Sequence, residues 1–154
     1  MRDLVKLLID KKKTISTMES CTGGGVANAI TNIEGSSEVL KFSAVTYSNE
    51  FKIKMGVSKD TIDKYSVYSM EVAQEMSKCI SDFTSSDYGI GVTGKLNRYD
   101  PNNLYGEDNI VFISIYDREN DKYYDSKLEV FDNSRCDNKK LVIDRIEEIV
   151  KSIV

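Results

Sequence analysis

Ser20 and Cys21 stand side by side within Glu19-Ser20-Cys21-Thr22-Gly23-Gly24-Gly25. A hydroxyl beside a thiol is a pair of candidate nucleophiles. A β-prone run, Thr14 to Met18, precedes them, and a helical pattern through Val26, Ala27, Ala29 and Ile30 follows. A strand that turns through glycines into a helix places both groups at a helix N-terminus. Unpaired N–H groups and the positive end of the helix dipole gather there and favour anions. The chain has no histidine, so serine chemistry needs another base, and lysine is the leading candidate. The plainer reading is that Ser20 and Thr22 cap the helix, while Gly23 to Gly25 allow close helix–sheet contact. Cys21 is intrinsically the stronger nucleophile, and a helix N-terminus lowers a thiol pKa. Without histidine it lacks its usual activating partner.

A second cluster, Tyr47-Ser48-Asn49 followed by Lys52, sits where a strand ends, within reach of the same sheet edge. A lysine desolvated beside a serine hydroxyl loses its proton more readily and serves as a general base. Tyr47 is placed to donate a hydrogen bond or relay a proton. A solvated Lys52 and a tyrosine packed on the sheet are the ordinary alternative. Gly89-Ile90-Gly91-Val92-Thr93-Gly94-Lys95-Leu96 fits both G-x-G-x-x-G and the phosphate-loop pattern up to its final position, where Leu96 replaces the Ser or Thr. These glycines lie within a strand rather than after it. Close approach of a neighbouring backbone or ligand explains them better.

The elements that must hold these residues follow from periodicity and punctuation. Residues 2–12 read as an amphipathic helix, 14–18 as a strand and 21–32 as a helix, with a turn at Glu34-Gly35. A short helical turn at Ser36-Ser37, a strand over Phe42–Ser48 and a helical turn over 50–56 that stops at Gly56 come next. Ser58 and Ser69 are N-caps, the latter for a long helix over 69–83 with Val72, Met76, Cys79 and Ile80 on one stripe. Tyr88–Val92 reads as a buried strand and 94–108 as a polar loop. Ile110–Tyr116 and Tyr123–Val130 form a hairpin, and a helix near 137–153 closes the chain. Strands joined through helices pair in parallel, and the late hairpin adds antiparallel pairing. The expected fold is α/β: one domain, a three-layer α/β/α sandwich with a mixed, mostly parallel sheet.

At 154 residues, with 40% apolar and 30% charged residues, the chain has the composition of one globular domain. A net charge of −4 argues against a nucleic-acid partner. Cys21, Cys79 and Cys136 are odd in number and lack metal-ligand spacing. No apolar run approaches the roughly 20 residues of a membrane span. The expectation is a cytoplasmic protein with reduced thiols.

Taken together, the motifs resemble the CinA C-terminal domain family, the nicotinamide-nucleotide amidases or NMN deamidases. Glu19-Ser20-Cys21-Thr22-Gly23-Gly24 is similar to the family's E-S-C-T-G-G signature. The likeness continues through Gly35-Ser36-Ser37, Val45-Thr46-Tyr47-Ser48-Asn49, Lys52, Gly56-Val57 and Ser69-x-Glu71-Val72-Ala73. It runs on through Asp87-Tyr88-Gly89-Ile90, Val92-Thr93-Gly94, Phe131 and Arg135. The resemblance implies hydrolysis of the carboxamide of nicotinamide mononucleotide to nicotinate mononucleotide and ammonia. Ser20 would attack, Lys52 would take its proton and Tyr47 would assist. N–H groups near Cys21 to Gly23 would hold the oxyanion.

Glu19, Cys21, Thr22, Gly23, Gly24, Ser48, Asn49, Thr93, Gly94 and Arg135 would bind substrate, Arg135 near its phosphate. The resemblance implies no metal, no cofactor, no membrane partner, and assembly as a homo-oligomer. It also implies a single domain, 1–154, without the molybdopterin-binding-like domain fused to some relatives.

Departures fall after Thr93-Gly94, where the family has Ile-Ala-Gly-Pro and a glycine-rich stretch and this chain has Lys95-Leu96-Asn97-Arg98-Tyr99-Asp100-Pro101. Asp132-Asn133 replaces a glycine, and Lys139 stands where a second arginine is common. The nucleophile and base are kept while the ligand-binding wall is rewritten. Two further readings follow from that wall. One is a module that keeps the fold and binds a nucleotide without turnover. The other is a serine–lysine hydrolase for a different small amide or ester.

Overall fold

The computed structural model describes residues 1–154 in full. In chain order the elements are α1 (Arg2–Lys11), β1 (Ile15–Glu19), α2 (Gly25–Thr31), a 3-10 turn (Ser36–Glu38), β2 (Leu40–Val45), α3 (Asn49–Lys54), α4 (Lys59–Tyr65), α5 (Met70–Thr84), β3 (Tyr88–Gly94), β4 (Ile110–Asp117), β5 (Lys122–Glu129) and α6 (Arg135–Ile153).

The strands form a single five-stranded sheet in the order β2-β1-β3-β4-β5. β1 pairs in parallel with both β2 and β3, and β4 pairs antiparallel with both β3 and β5. Four strands therefore run one way and β4 alone opposes them. The sheet is mixed and mostly parallel, as expected from helix-joined strands followed by a hairpin.

Side-chain alternation along the strands builds one core on each face. On one face Ile15, Ile90, Val92, Val111, Ile113 and Ile115 pack with Leu4, Val5 and Leu8 of α1, Val26 and Ile30 of α2, and Val142, Ile146 and Val150 of α6. On the other, Met18 meets Ile62 of α4 and Val72, Met76 and Ile80 of α5. The three-layer architecture is thus complete, with helices on both sides.

The β3 glycines prove to serve packing. A Cβ on Gly89 would sit 1.9 Å from the Ser77 carbonyl oxygen, and one on Gly91 would sit 2.2 Å from that of Ala73. The α5 backbone lies directly on the strand, which only glycine permits.

Ser48, Ser58, Ser69 and Ser134 each accept a backbone N–H at the start of α3, α4, α5 and α6. The strand read over 42–48 lies at Leu40–Val45, and the final helix starts at Arg135 rather than near 137. α2 begins at Gly25, four positions later than the 21–32 reading.

Candidate active site

The late start of α2 is imposed by Glu19 and two glycines. Gly23 and Gly24 take positive φ values of 61° and 89°, a left-handed turn that glycine enters without a steric penalty. This turn folds the chain back so that the buried Glu19 carboxylate accepts from the N–H groups of Gly24 (3.0 Å), Val26 (3.1 Å) and Ala27 (2.9 Å). The first helical donors and the positive dipole end are thereby used inside the protein. Ser20 and Cys21 consequently do not stand at an open helix N-terminus. They occupy the turn between β1 and α2. Glu19 is a buried cap rather than part of the cavity wall, since three backbone N–H groups and the Thr17 hydroxyl, at 3.3 Å, occupy its carboxylate.

Ser20 itself is fixed from both neighbouring strands. Its N–H donates to the Val92 carbonyl at the end of β3, and the Thr46 N–H beyond β2 donates to the Glu19 carbonyl. β1 lies between β2 and β3, so chain connections leave it in opposite directions. That is the switch point at which open α/β sheets place ligands.

From α3, Lys52 reaches back over the end of β2. Its Nζ donates to Ser20 Oγ at 3.0 Å and to the Thr46 carbonyl at 2.7 Å. Lys52 is only 1% exposed and makes no salt bridge with any carboxylate. Burial pulls its pKa down from 10.5 to about 8, because desolvation disfavours the charged form. Ser20 and Lys52, separated by 32 positions, thus form a hydrogen-bonded hydroxyl–amine pair whose amine releases a proton near pH 8.

Cys21 behaves differently. Burial pushes its thiol up to about 12, so it stays protonated and does not compete with Ser20. The N–H groups of Cys21 and Thr22 donate to no backbone oxygen, whereas that of Gly23 is taken by the Ser20 carbonyl. Two backbone donors in the turn that carries Ser20 are therefore free of backbone acceptors.

A cavity of about 530 Å³ opens over this pair. Of the residues anticipated from the sequence, Ser20, Cys21, Tyr47, Ser48, Asn49, Lys52, Gly94 and Arg135 line it. Glu19, Thr22, Gly23, Gly24 and Thr93 do not line it. Thr93 Oγ1 donates to the Val67 carbonyl at 2.9 Å and so fixes a residue that does line it. Tyr47 is 66% exposed, and its hydroxyl accepts from Arg135 at 3.5 Å. It makes no hydrogen bond to Ser20 or Lys52.

The stretch after Gly94, read as a rewritten ligand-binding wall, supplies most of the remaining lining, and only Val67 and Tyr68 are not singled out by the sequence. Tyr68, Lys95, Arg98, Asp100, Asn102 and Asn103 also line the cavity. Lys95, the last matched residue of the phosphate-loop pattern, is buried and binds Asp108 at 2.9 Å, so its charge is spent on its own loop. The cavity lining thus holds four basic side chains, Lys52, Lys95, Arg98 and Arg135, against a single carboxylate, Asp100, in a chain of net charge −4.

Residues 1–148 match the CinA C-terminal domain family. A putative competence-damage inducible protein of Clostridium perfringens is 51% identical over 90 residues, which are 58% of this chain and 22% of that protein. A CinA-like protein of Flavobacterium psychrophilum is 44% identical over 115 residues, 73% of this chain and 27% of its own length. The chain thus spans about a quarter of the length of these curated relatives.

Among solved structures, a CinA superfamily protein of Escherichia coli superposes with a TM-score of 0.87 at 23% identity, covering 99% of this chain and 87% of that one. The competence/damage inducible protein CihA of Agrobacterium tumefaciens gives 0.81 at 24% identity, covering 99% and 92%. Both share the fold. The chain belongs to the CinA C-terminal domain family.

Proposed function

We propose that this domain is an amidohydrolase that converts nicotinamide mononucleotide to nicotinate mononucleotide and ammonia. The observation that carries the reading is the 3.0 Å contact between Lys52 Nζ and Ser20 Oγ, buried, without a carboxylate partner, under an open cavity. Neutral Lys52 takes the Ser20 proton as Oγ bonds to the carboxamide carbon. The carbonyl oxygen gains the charge and lies against the Cys21 and Thr22 N–H groups. Lys52 then returns its proton to the amide nitrogen, the C–N bond breaks, and ammonia leaves. Water, deprotonated by Lys52, attacks the acyl-enzyme, and that proton passes back to Ser20 Oγ as its bond to the acyl carbon breaks; the carboxylic acid so formed gives its remaining proton to solvent and leaves as the carboxylate.

Arg135 and Tyr47, joined at the rim, suit the phosphate of such a substrate. The reading therefore gives Tyr47 a part in holding substrate rather than in moving the Ser20 proton. It is tested by incubating the protein with nicotinamide mononucleotide and measuring ammonia against a Ser20→Ala control. Ammonia release that is lost in the control supports it; equal release from both, or none from either, overturns it.

A further inference from the structure

Asp100 is an anomaly in its surroundings. It is the single acid among the residues that line a cavity carrying Lys52, Lys95, Arg98 and Arg135, yet it forms no salt bridge. Neutral donors fix it instead. Its Oδ2 accepts from the Tyr68 hydroxyl and from Asn103 Nδ2 at 2.9 Å, and its Oδ1 accepts from the Asn102 N–H at 2.9 Å. Asn103 Oδ1 in turn accepts from Asn49 Nδ2 at 3.5 Å, so the wall is braced against the helix that carries Lys52. The Tyr68 hydroxyl above all holds the Asp100 carboxyl below the usual range. It is ionised and can only accept. Each carboxylate oxygen has room for about two donors, so Oδ1 keeps one open position.

That requirement selects the part of a substrate that can face it. Phosphate oxygens and the reacting carboxamide oxygen are acceptors and would be repelled. The donors on a nicotinamide nucleotide are its carboxamide N–H2 and its ribose hydroxyls. The carboxamide belongs at Ser20. The residues that follow Asp100, Pro101 to Asn103, also line a second cavity, of about 690 Å³, that Ser20, Cys21 and Lys52 do not touch. This stretch therefore extends the wall past Ser20 and Lys52 towards that second cavity. The side-chain amide of Asn102, free of hydrogen bonds within the protein, stands next to it.

We propose that Asp100 Oδ1 accepts a hydrogen bond from a ribose hydroxyl of the nucleotide, so that the Arg98–Asn103 wall reads the sugar. The inference rests on the amidase reading and names the residue that selects a ribonucleotide. It requires no covalent step.

Binding to a full-length Ser20→Ala protein, which holds the substrate without consuming it, separates this role from loop bracing. Calorimetric titration would use nicotinamide mononucleotide and its 2′-deoxy and 3′-deoxy forms. A hydrogen bond to a charged acceptor predicts about tenfold to a hundredfold weaker binding of the form that lacks the accepted hydroxyl. In Ser20→Ala/Asp100→Asn that gap closes, because the ribonucleotide alone loses affinity. Tyr68→Phe, which keeps the carboxylate but frees it, narrows the gap in the same direction and serves should Asp100→Asn not fold.

Equal weakening of all three nucleotides in either variant, or equal binding of all three before any change at Asp100, overturns the inference alone. Failure of nicotinamide mononucleotide to bind Ser20→Ala overturns the amidase reading, and the inference with it.

Discussion

Replacing Lys52 by methionine should change how stability depends on pH. The folded protein releases the Lys52 proton near pH 8 and the unfolded chain near 10.5. Between those values the unfolded state binds more protons, so stability rises with pH. Below pH 8 both states are protonated and the penalty for burying the ammonium is fully present. The pKa depression of 10.5 − 8, or 2.5 units, sets that penalty at about 3 kcal/mol. Relief is gradual, and between pH 7 and pH 9 it amounts to about 1 kcal/mol.

Methionine keeps much of the length and cannot titrate. It leaves the Thr46 carbonyl without its donor, a pH-independent cost that shifts stability at every pH alike. Urea unfolding at pH 7, 8 and 9 therefore isolates Lys52 as a difference in slope. The wild type should gain about 1 kcal/mol over Lys52→Met across that range. Parallel pH dependences would refute the argument, since they would mean that Lys52 has the same proton affinity folded and unfolded.

Three further outcomes follow. Glu19→Gln places an N–H2 among the three N–H donors that Glu19 accepts; stability should fall by about 2–4 kcal/mol, read by urea unfolding. Cys21→Ala removes a protonated thiol that takes no part in the chemistry; ammonia release should stay within about threefold of wild type. Thiol-reactive dye should meanwhile label exposed Cys136 well before buried Cys21. Gly91→Ala drives a methyl to 2.2 Å from the Ala73 carbonyl; the strain of moving α5 should lower stability by about 1–3 kcal/mol or more, visible as a lower Tm.

The sequence carried the architecture because local signals and packing agree. The α5 stripe of Val72, Met76 and Ile80 and its Ser69 cap both point to a helix against a sheet, and α5 lies there. Gly89 and Gly91 announced a close approach, and the approaching group is the α5 backbone. The Ser20 and Lys52 motifs were legible as types at fixed positions, but their meeting depends on how α3 folds back across β2.

The role of Glu19 was not legible, because a carboxylate next to a serine reads as part of the site. Only the left-handed turn at Gly23 and Gly24 shows that it caps α2 from within. The Ser134–Asp137 pair at the start of α6 was a readable capping signal that the 137–153 boundary passed over. Residues 98–103 were legible as part of the ligand-binding wall only through the family resemblance; having no periodicity, they carry no local signal for how Asp100 is held. Its partners Tyr68 and Asn49 come from distant parts of the chain.

The central claim is that buried Lys52 activates Ser20 for amide hydrolysis. It is tested most directly by the pH profile of kcat/KM for ammonia release from nicotinamide mononucleotide. The neutral amine is the active form, so activity should be present above the Lys52 pKa of about 8 and lost below it. From pH 7 to pH 9 the neutral fraction, and with it kcat/KM, should rise about tenfold. A profile flat across that range, or one that falls as pH rises, would contradict the account.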